Sequence, residues 1–396
     1  MKYGIAALAG LALLAVSACG SGEASMTEGQ MMEGPAQTAS GFLTFADLDG
    51  WADDDQAAAL AAFRRSCARI LALEKTEPLD PKATDAALYG TAGDWHAACS
   101  AAAHVGPGKG AARRYFETWF APVRFADGAD ERPLFTGYFE PVMKGSLGRH
   151  GPYQTPILSL PPAYAAARAA GRALPTRSEI ETALADGTLD ADRLALVWLA
   201  DPVDAFFLHV QGSGRVQLEN GSLLRLAFSA KNNRPYTSIG KLLIERGAIP
   251  RDEVSMQTIR AWLEAHPDEV KPLLSRNDSY IFFKRLDGVG PEVGPPGAEQ
   301  VSLTPGRSLA VDRSFHPLGA LLWLDSRYPD PDAGLQPLRR LMVAQDTGTA
   351  IRGEQRGDVF WGASPEAAEI AGRMKEPGEL IAILPKPLAS AALAAR

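Results

Sequence analysis

The chain reads Leu341-Met342-Val343-Ala344-Gln345-Asp346-Thr347-Gly348 near its C-terminus, an apolar run that ends in a carboxylate. Asp312 ends a similar run at 309–313, and Asp358 opens another at 357–362. Short runs rich in Val and Leu and bounded by Gly predict β-strands. Carboxylates at the strand ends of a barrel can converge on one mouth. Crowded carboxylates raise one another's pKa, which is what a general acid requires. The alternative for each aspartate is a turn cap.

Composition predicts a folded protein of 396 residues, since 46% of them are apolar and 22% are charged. This length allows two domains, or one large domain with an insertion. The formal net charge of −7 argues against broad nucleic-acid binding, which requires a basic surface. The 38 glycines and 29 prolines indicate many turns.

The N-terminus has the pattern of a bacterial lipoprotein signal. A short apolar stretch, 5–16, precedes Val16-Ser17-Ala18-Cys19 and is too short to span a bilayer. The small residues before the cysteine resemble a lipobox, so 1–19 is predicted to be a signal peptide with Cys19 as the lipidated residue. A plain secretory signal is the alternative. Residues 20–40 are small and polar and predict a flexible tether.

The rest of the chain predicts a mainly β fold with helices (α+β). Helical spacing of apolar residues runs over 53–73, and Ser178 with Glu181 predicts a capping box. The apolar run 205–211 is interpreted as a strand, and Asn-Gly at 220–221 predicts a hairpin. Many short strands with few helices favour a barrel.

Other chemistries lack a motif. The six histidines show no metal-binding spacing, so neither a metal nor a cofactor is expected. The sequence Gly212-Ser213-Gly214 lacks the pattern of a nucleophile elbow. Two cysteines, Cys67 and Cys99, follow the predicted signal, and the sequence leaves open whether they pair or remain buried thiols.

An ordered set of motifs carries a family resemblance. The segments Asp312–Gly319, Ala344–Gly353 and Asp358–Phe360 are similar to the domain named for three aspartates, which folds as a double-psi β-barrel. Earlier segments extend the similarity, and they are Phe135–Tyr138, Val210–Gly214, Lys231-Asn232, Tyr236–Gly240 and Phe282–Lys284. Together they resemble the membrane-bound lytic murein transglycosylase A family, over roughly residues 130–385.

The resemblance implies two domains with a glycan-binding groove between them. A catalytic domain with the double-psi β-barrel would be built from 41–141 and 259–387, and a smaller β-domain at 142–258 would be inserted into it. The expected location is the periplasmic face of the outer membrane, reached through the lipid anchor; Gly20 after the cysteine favours it. Expected partners are peptidoglycan strands and other wall-remodelling proteins, and no nucleic acid.

The implied reaction is cleavage of the β-1,4 bond between N-acetylmuramic acid and N-acetylglucosamine, with formation of a 1,6-anhydro ring. The family's catalytic acid falls on Asp358, with Asp346 and Asp312 in support. The residues implied or suggested for substrate binding are Thr136, Tyr138, Gln211, Ser213 and Lys284. The alternatives are a wall-binding protein without catalysis and a muramidase that uses water.

Overall fold

The computed structural model describes residues 43–84, 86–125, 133–290 and 292–394. The predicted signal peptide, Cys19 and the tether at 20–40 lie outside the described residues. The described helices are α1 (Gln56–Ile70), α2 (Ala92–Ala102), α3 (Lys109–Trp119), α4 (Pro162–Ala169), α5 (Arg177–Ala185), α6 (Ala191–Leu194), α7 (Pro202–Gln211), α8 (Ile239–Glu245), α9 (Met256–Ala265), α10 (Pro267–Leu274), α11 (Pro365–Arg373) and α12 (Lys386–Ala394). The described strands are β1 (Phe120–Arg124), β2 (Leu134–Tyr138), β3 (Val142–Ser146), β4 (Thr155–Leu158), β5 (Ala195–Leu199), β6 (Ser213–Leu218), β7 (Leu223–Lys231), β8 (Ile281–Arg285), β9 (Ser308–Val311), β10 (Leu321–Asp330), β11 (Gly334–Asp346), β12 (Arg356–Phe360), β13 (Lys375–Glu376) and β14 (Glu379–Pro385). None of the helices in this part of the chain is long and apolar enough to cross a membrane.

The first sheet has eight strands in the order β1-β14-β10-β11-β9-β12-β2-β13. It is mixed, because β9 runs parallel to β11 and β2 runs parallel to β12, whereas the other pairs are antiparallel. Strands from both ends of the chain therefore lie side by side. The three strands that carry the sequence motif, β9, β11 and β12, are neighbours near the middle of the sheet.

Helices α1, α2 and α3 form a layer with the first sheet around a common core. Phe63 and Trp95 are fully buried, and Trp51 packs against Trp323 of β10 with ring centroids 5.4 Å apart. A disulfide joins Cys67 of α1 to Cys99 of α2, with the Cα atoms 5.0 Å apart. The pairing that the sequence left open is therefore present, and it fastens two helices of this layer together.

The second sheet has six strands in the order β4-β5-β3-β6-β7-β8. All of its strands lie between Val142 and Arg285, so the sheet extends past residue 258, where the sequence analysis ended the inserted domain. Two sheets with helices confirm the predicted class, mainly β within an α+β fold. The domain limits and the double-psi topology stay predictions.

Two local predictions between residues 142 and 285 are wrong. The run 205–211 is not a strand but the body of helix α7, which starts after an Asp201 cap whose Oδ1 accepts from the Val203 N–H at 2.8 Å. Pro202 suits the first turn and Gly212 ends the helix with φ +77°. A mostly apolar run has little periodicity to separate a buried helix from a strand. The cap of α5 is Thr176 with Glu179, two residues before the predicted pair.

A buried ion cluster holds the chain where it crosses from the first sheet to the second. Glu140 lies between β2 and β3 and has no exposed surface. Its carboxylate accepts from Arg215 Nε at 2.7 Å and from Arg225 Nη2 at 3.1 Å, and both arginines belong to the second sheet. Its N–H donates to Gly362 O, just beyond β12, at 2.7 Å. These hydrogen bonds fix the chain to both sheets at Glu140, directly after β2, the strand that carries Thr136.

Candidate active site

Asp346 and Asp358 flank Ala310 across the middle of the first sheet. Ala310 of β9 pairs with Asp346 of β11 on one side and with Asp358 of β12 on the other. Thr136 of β2 continues the row as the partner of Asp358. Paired residues project their side chains from the same face of a sheet, so both carboxylates and the hydroxyl face one side. The strands that carry the two carboxylates are separated by two strand spacings, about 10 Å.

Asp358 is a partly buried carboxyl held by a threonine and an arginine. The Thr136 hydroxyl donates to its Oδ1 at 2.8 Å, and Arg356 Nη2 donates to the Thr136 oxygen at 2.9 Å. Burial raises the pKa of Asp358 to about 6; Arg356 and Thr136 oppose the increase, and the negative charge of Asp346 adds to it. A carboxyl with this pKa is still protonated in a fraction of the molecules near neutral pH and can act as a general acid.

Glycine at 357 allows close packing beneath this carboxyl. A Cβ at Gly357 would lie 3.0 Å from Leu309 Cδ1 and 3.1 Å from Phe135 Cδ1. The two buried side chains therefore reach the backbone of β12 directly. The backbone next to Asp358 is fixed by this contact.

The oxygens of Asp346 are engaged by the protein. Oδ2 accepts from the Tyr138 hydroxyl at 2.8 Å, and Oδ1 accepts from the N–H groups of Ala298 and Thr347, each at 2.9 Å. Burial raises the pKa of Asp346 above its usual range, although these hydrogen bonds oppose the increase. Asp346 is thereby fixed in orientation and acts on Asp358 through its charge.

Asp312 has the geometry of a turn cap. Oδ1 accepts from the Ser314 N–H at 3.1 Å, and Oδ2 accepts from the Gly353 N–H at 3.0 Å. Burial acts to raise the pKa of Asp312, but these two N–H groups and Arg352 outweigh it and hold the pKa below its usual range. The ionised carboxylate ties the segment that follows Asp346 back to the end of β9.

The sequence analysis missed Arg356. Its guanidinium donates to Thr136 Oγ1 and to the carbonyl oxygen of Leu134, at 2.9 Å and 3.1 Å. It stands two residues before Asp358 on β12, so both side chains project from the same face. That spacing is the signal that could have identified it.

The other predicted binding residues lie at the junction or in the second sheet. Gln211, the last residue of α7, accepts the Phe139 N–H at 3.0 Å and so fixes the segment after Tyr138. Ser213 and Lys284 pair with Ala227 from opposite sides, so they share one row across β6, β7 and β8. Ser213 is buried, whereas Lys284 is exposed. Of the predicted residues, Thr136 is hydrogen-bonded to Asp358 and Tyr138 to Asp346, and the charge of Asp346 acts on Asp358.

Two family models match the chain over these two regions. The MltA specific insert domain matches residues 134–284, and the 3D domain matches residues 307–384. A crystal structure of a membrane-bound lytic murein transglycosylase from Agrobacterium tumefaciens is 31% identical. It aligns with a TM-score of 0.75 over 88% of this chain and 98% of its own. The chain belongs to the membrane-bound lytic murein transglycosylase A family.

Other members of this family are also similar to the chain. Membrane-bound lytic murein transglycosylase A of Escherichia coli K12 is 39% identical over 254 residues, which are 62% of this chain and 64% of that protein. The match therefore spans just under two thirds of that relative's length. The structure of E. coli MltA with bound chitohexaose is 32% identical and aligns with a TM-score of 0.59 over 74% of this chain and 83% of its own. The three aspartates and Thr136 lie within the matched regions.

Proposed function

We propose that this protein is a peptidoglycan lytic transglycosylase with Asp358 as its single catalytic acid and base. The reaction cleaves the β-1,4 bond between N-acetylmuramic acid and N-acetylglucosamine and leaves a 1,6-anhydromuramic acid end. The observation that carries the proposal is the position of Asp358 in a row of side chains on one face of the sheet, where Thr136 donates to it at 2.8 Å and burial raises its pKa to about 6. Relatives named as lytic murein transglycosylases support it.

Asp358 first donates its proton to the glycosidic oxygen. The bond from this oxygen to C1 of the muramic acid breaks, and its electron pair stays with the leaving sugar. The positive charge that develops at C1 is stabilised by the carboxylates on the same face. Asp358, now ionised, accepts the proton of the C6 hydroxyl of the same muramic acid, whose oxygen closes on C1. The acid is regenerated and no water is consumed. An attack within one sugar avoids the entropy of capturing a separate nucleophile.

The engagement of Asp346 favours this route over hydrolysis. A hydrolase requires a second carboxylate that acts as a base on water or as a nucleophile. Both oxygens of Asp346 accept hydrogen bonds from the protein, three in all at 2.8–2.9 Å. A carboxylate held in this way is suited to supply charge rather than to bind a proton or a sugar. Asp346 and Tyr138 thus act as positioning residues.

The glycan is proposed to lie between the face that carries Asp358 and the second sheet. Thr136 contacts Asp358. Gln211 contacts Phe139, next to the crossing at Glu140, and Ser213 begins β6 of the second sheet. The exposed ammonium of Lys284 would contact the muramic acid residues of the glycan strand. Chitohexaose bound to the E. coli relative supports a β-1,4-linked N-acetyl sugar chain as ligand.

The experiment is digestion of purified peptidoglycan with the protein starting after Cys19, followed by mass analysis of the released fragments. Fragments one water lighter than hydrolytic products support the transglycosylase. Free reducing ends would establish a muramidase instead, and binding without release would establish a wall-binding role. Asp358→Asn should retain binding and lose cleavage. Asp192→Asn, on an exposed aspartate of α6, is the matched control.

We further propose that the chain is anchored at the periplasmic face of the outer membrane through lipid on Cys19. Support comes from the small residues before Cys19, from Gly20 after it, and from relatives named as membrane-bound. Cys19→Ala should abolish incorporation of a labelled fatty acid and release the protein from the membrane fraction. Retention of the label in that variant would contradict the anchor.

A further inference from the structure

Three cations gather where the second sheet meets the segment that follows Asp346. Lys231 ends β7, and its Nζ lies 3.3 Å from Thr349 Oγ1 in that segment. Arg352 of the same segment and Arg168 of α4 lie near enough to act on Lys231 through their charges. We call Lys231, Arg168 and Arg352 the cationic cluster. It is formed by the end of β7, helix α4 and the segment between β11 and β12.

The cationic cluster is connected to the aspartates by a few hydrogen bonds. Thr347 donates its N–H to Asp346, and Gly353 donates its N–H to Asp312. Thr349 and Arg352 lie between these two anchor points. The segment that carries them is therefore held at both ends by aspartates of the site. A ligand bound by the cationic cluster would lie beside a substrate bound at Asp358.

The backbone that presents Lys231 is fixed before any ligand arrives. Asn232 is buried, and its Nδ2 donates to the carbonyl oxygens of Pro175 and Asp278, each at 2.8 Å. Its Oδ1 accepts the Tyr280 N–H at 2.9 Å. Asn233 then turns the chain with φ +58°, a conformation that asparagine tolerates better than most residues. Lys231 thus stands on a rigid element, as a binding residue should.

The charges around Lys231 are unbalanced. Burial lowers the pKa of Lys231 below its usual range, and the positive charges of Arg352 and Arg168 lower it further. Among the described residues, Arg352 has a carboxylate within 4 Å, Asp312 at 3.6 Å, whereas no such ion pair is found for Lys231 or Arg168. Both arginines are exposed, so solvent screens part of this repulsion, and an anion bound among the three cations would relieve the rest.

We propose that the cationic cluster binds a carboxylate of the peptide stem on the peptidoglycan strand. This inference rests on the proposed function. The N-acetyl sugars are uncharged where the lactyl group is joined to peptide through an amide, so the stem carries the fixed carboxylates of the polymer. Lys231 and the guanidinium groups are the side chains that pair with such anions. The cluster selects strands that retain their stems over strands from which the stems have been removed.

The test measures binding in the Asp358→Asn background, so that it does not depend on turnover. Three probes are compared: peptidoglycan strands with stems, the same strands after an amidase has removed the stems and left a free lactyl carboxylate, and an uncharged chitooligosaccharide. Lys231→Met should weaken binding of the first probe about ten-fold, the loss expected for one charge-assisted hydrogen bond. It should leave the other two unchanged. Lys144→Met, on an exposed lysine of β3, is the matched control.

Each outcome decides the assignment. A loss confined to strands with stems supports it, and Lys231→Arg should then restore binding. A loss confined to the amidase-treated strands would assign the cluster to the lactyl carboxylate and overturn the stem proposal. An equal loss on all three probes would reduce Lys231 to a structural role. If the unmodified protein releases no anhydro products, the proposed function fails, whatever these binding ratios are.

Discussion

Thr136 and Asp358 are direct partners on parallel strands, and the Thr136 hydroxyl donates to Asp358 Oδ1 at 2.8 Å. The same hydroxyl accepts from Arg356, so it links the guanidinium to the carboxyl. Arg356 and Thr136 lower the pKa of Asp358, whereas burial, the largest influence, and the charge of Asp346 raise it. Three side chains on three strands therefore set the acidity of one group. Each of these three influences can be removed by a single substitution.

Thr136→Val removes the hydroxyl and keeps the branched shape that suits a strand. A hydrogen bond to the ionised form lowers the pKa of a carboxyl, so its loss should raise the pKa of Asp358 above its present value of about 6. In the proposed mechanism, Asp358 must hold a proton to start the reaction. The alkaline limb of kcat/KM against pH should therefore move to higher pH, by about one unit for one charge-assisted hydrogen bond.

The control for this prediction is Thr136→Ser, which keeps the hydroxyl and should keep the alkaline limb in place. The measurement is the pH profile of anhydro-product release for the three proteins. An unchanged limb in the valine variant would contradict a direct influence of Thr136 on the acid.

Arg356→Met should move the alkaline limb in the same direction. The guanidinium charge is the largest of the influences that lower the pKa of Asp358, so its removal leaves burial and Asp346 less opposed. Arg356→Lys retains a positive charge at this position and should retain most of the profile. Thermal unfolding of both variants separates this effect from the lost hydrogen bond to Leu134 O. If the alkaline limb moves equally in Arg356→Met and Arg356→Lys, the effect of Arg356 depends on the geometry of its guanidinium rather than on its charge.

Asp346→Asn should have the opposite effect. The negative charge of Asp346 raises the pKa of Asp358, so a neutral amide at 346 should lower it. The alkaline limb of kcat/KM should move to lower pH, and activity at pH 7 should fall because less of the acid is protonated. A variant that shifts upward, or one that loses activity at every pH in equal proportion, would indicate that Asp346 has another role.

The sequence predicts each aspartate at the end of a strand, which is correct for Asp346 and Asp312, whereas Asp358 lies in the middle of β12. It does not show that Asp346 and Asp358 share a row, since their relation depends on Ala310 lying between them in the sheet. Register between strands distant in the chain is set by tertiary packing, which no local pattern records. The same limit explains why the Cys67–Cys99 bond could only be left open.

Helix α7 was not predicted from the sequence for a different reason. Residues 205–211 are apolar on nearly every side because the helix is buried, and this erases the period that distinguishes a helix from a strand. The end signals were present in the sequence, with Asp201 and Pro202 before the run and Gly212 after it. Together these end signals predict a helix, and they place Gln211 at its end.

Glu299 predicts how the stability of the fold depends on pH. The side chain is buried, Ser66 Oγ donates to its Oε2 at 2.6 Å, and its Oε1 has no hydrogen-bond partner among the described residues. Burial raises the pKa of Glu299 from 4.5 to about 7. Because the folded pKa is the higher one, its contribution to stability is complete below the unfolded value and is lost as the pH rises through the folded value.

Glu299→Gln replaces the carboxyl by a neutral group of the same shape and should remove this dependence. The free energy of unfolding of the unmodified protein, relative to the variant, should fall by about 3 kcal/mol between pH 4.5 and pH 7. Urea unfolding at a series of pH values measures the difference, with Glu366→Gln on the surface of α11 as the control. Parallel curves for the unmodified protein and Glu299→Gln would mean that Glu299 ionises at its ordinary pKa in the folded state. The Ser66 hydroxyl would then be enough to stabilise the carboxylate as an anion, and its burial would place no limit on the pH range of the fold.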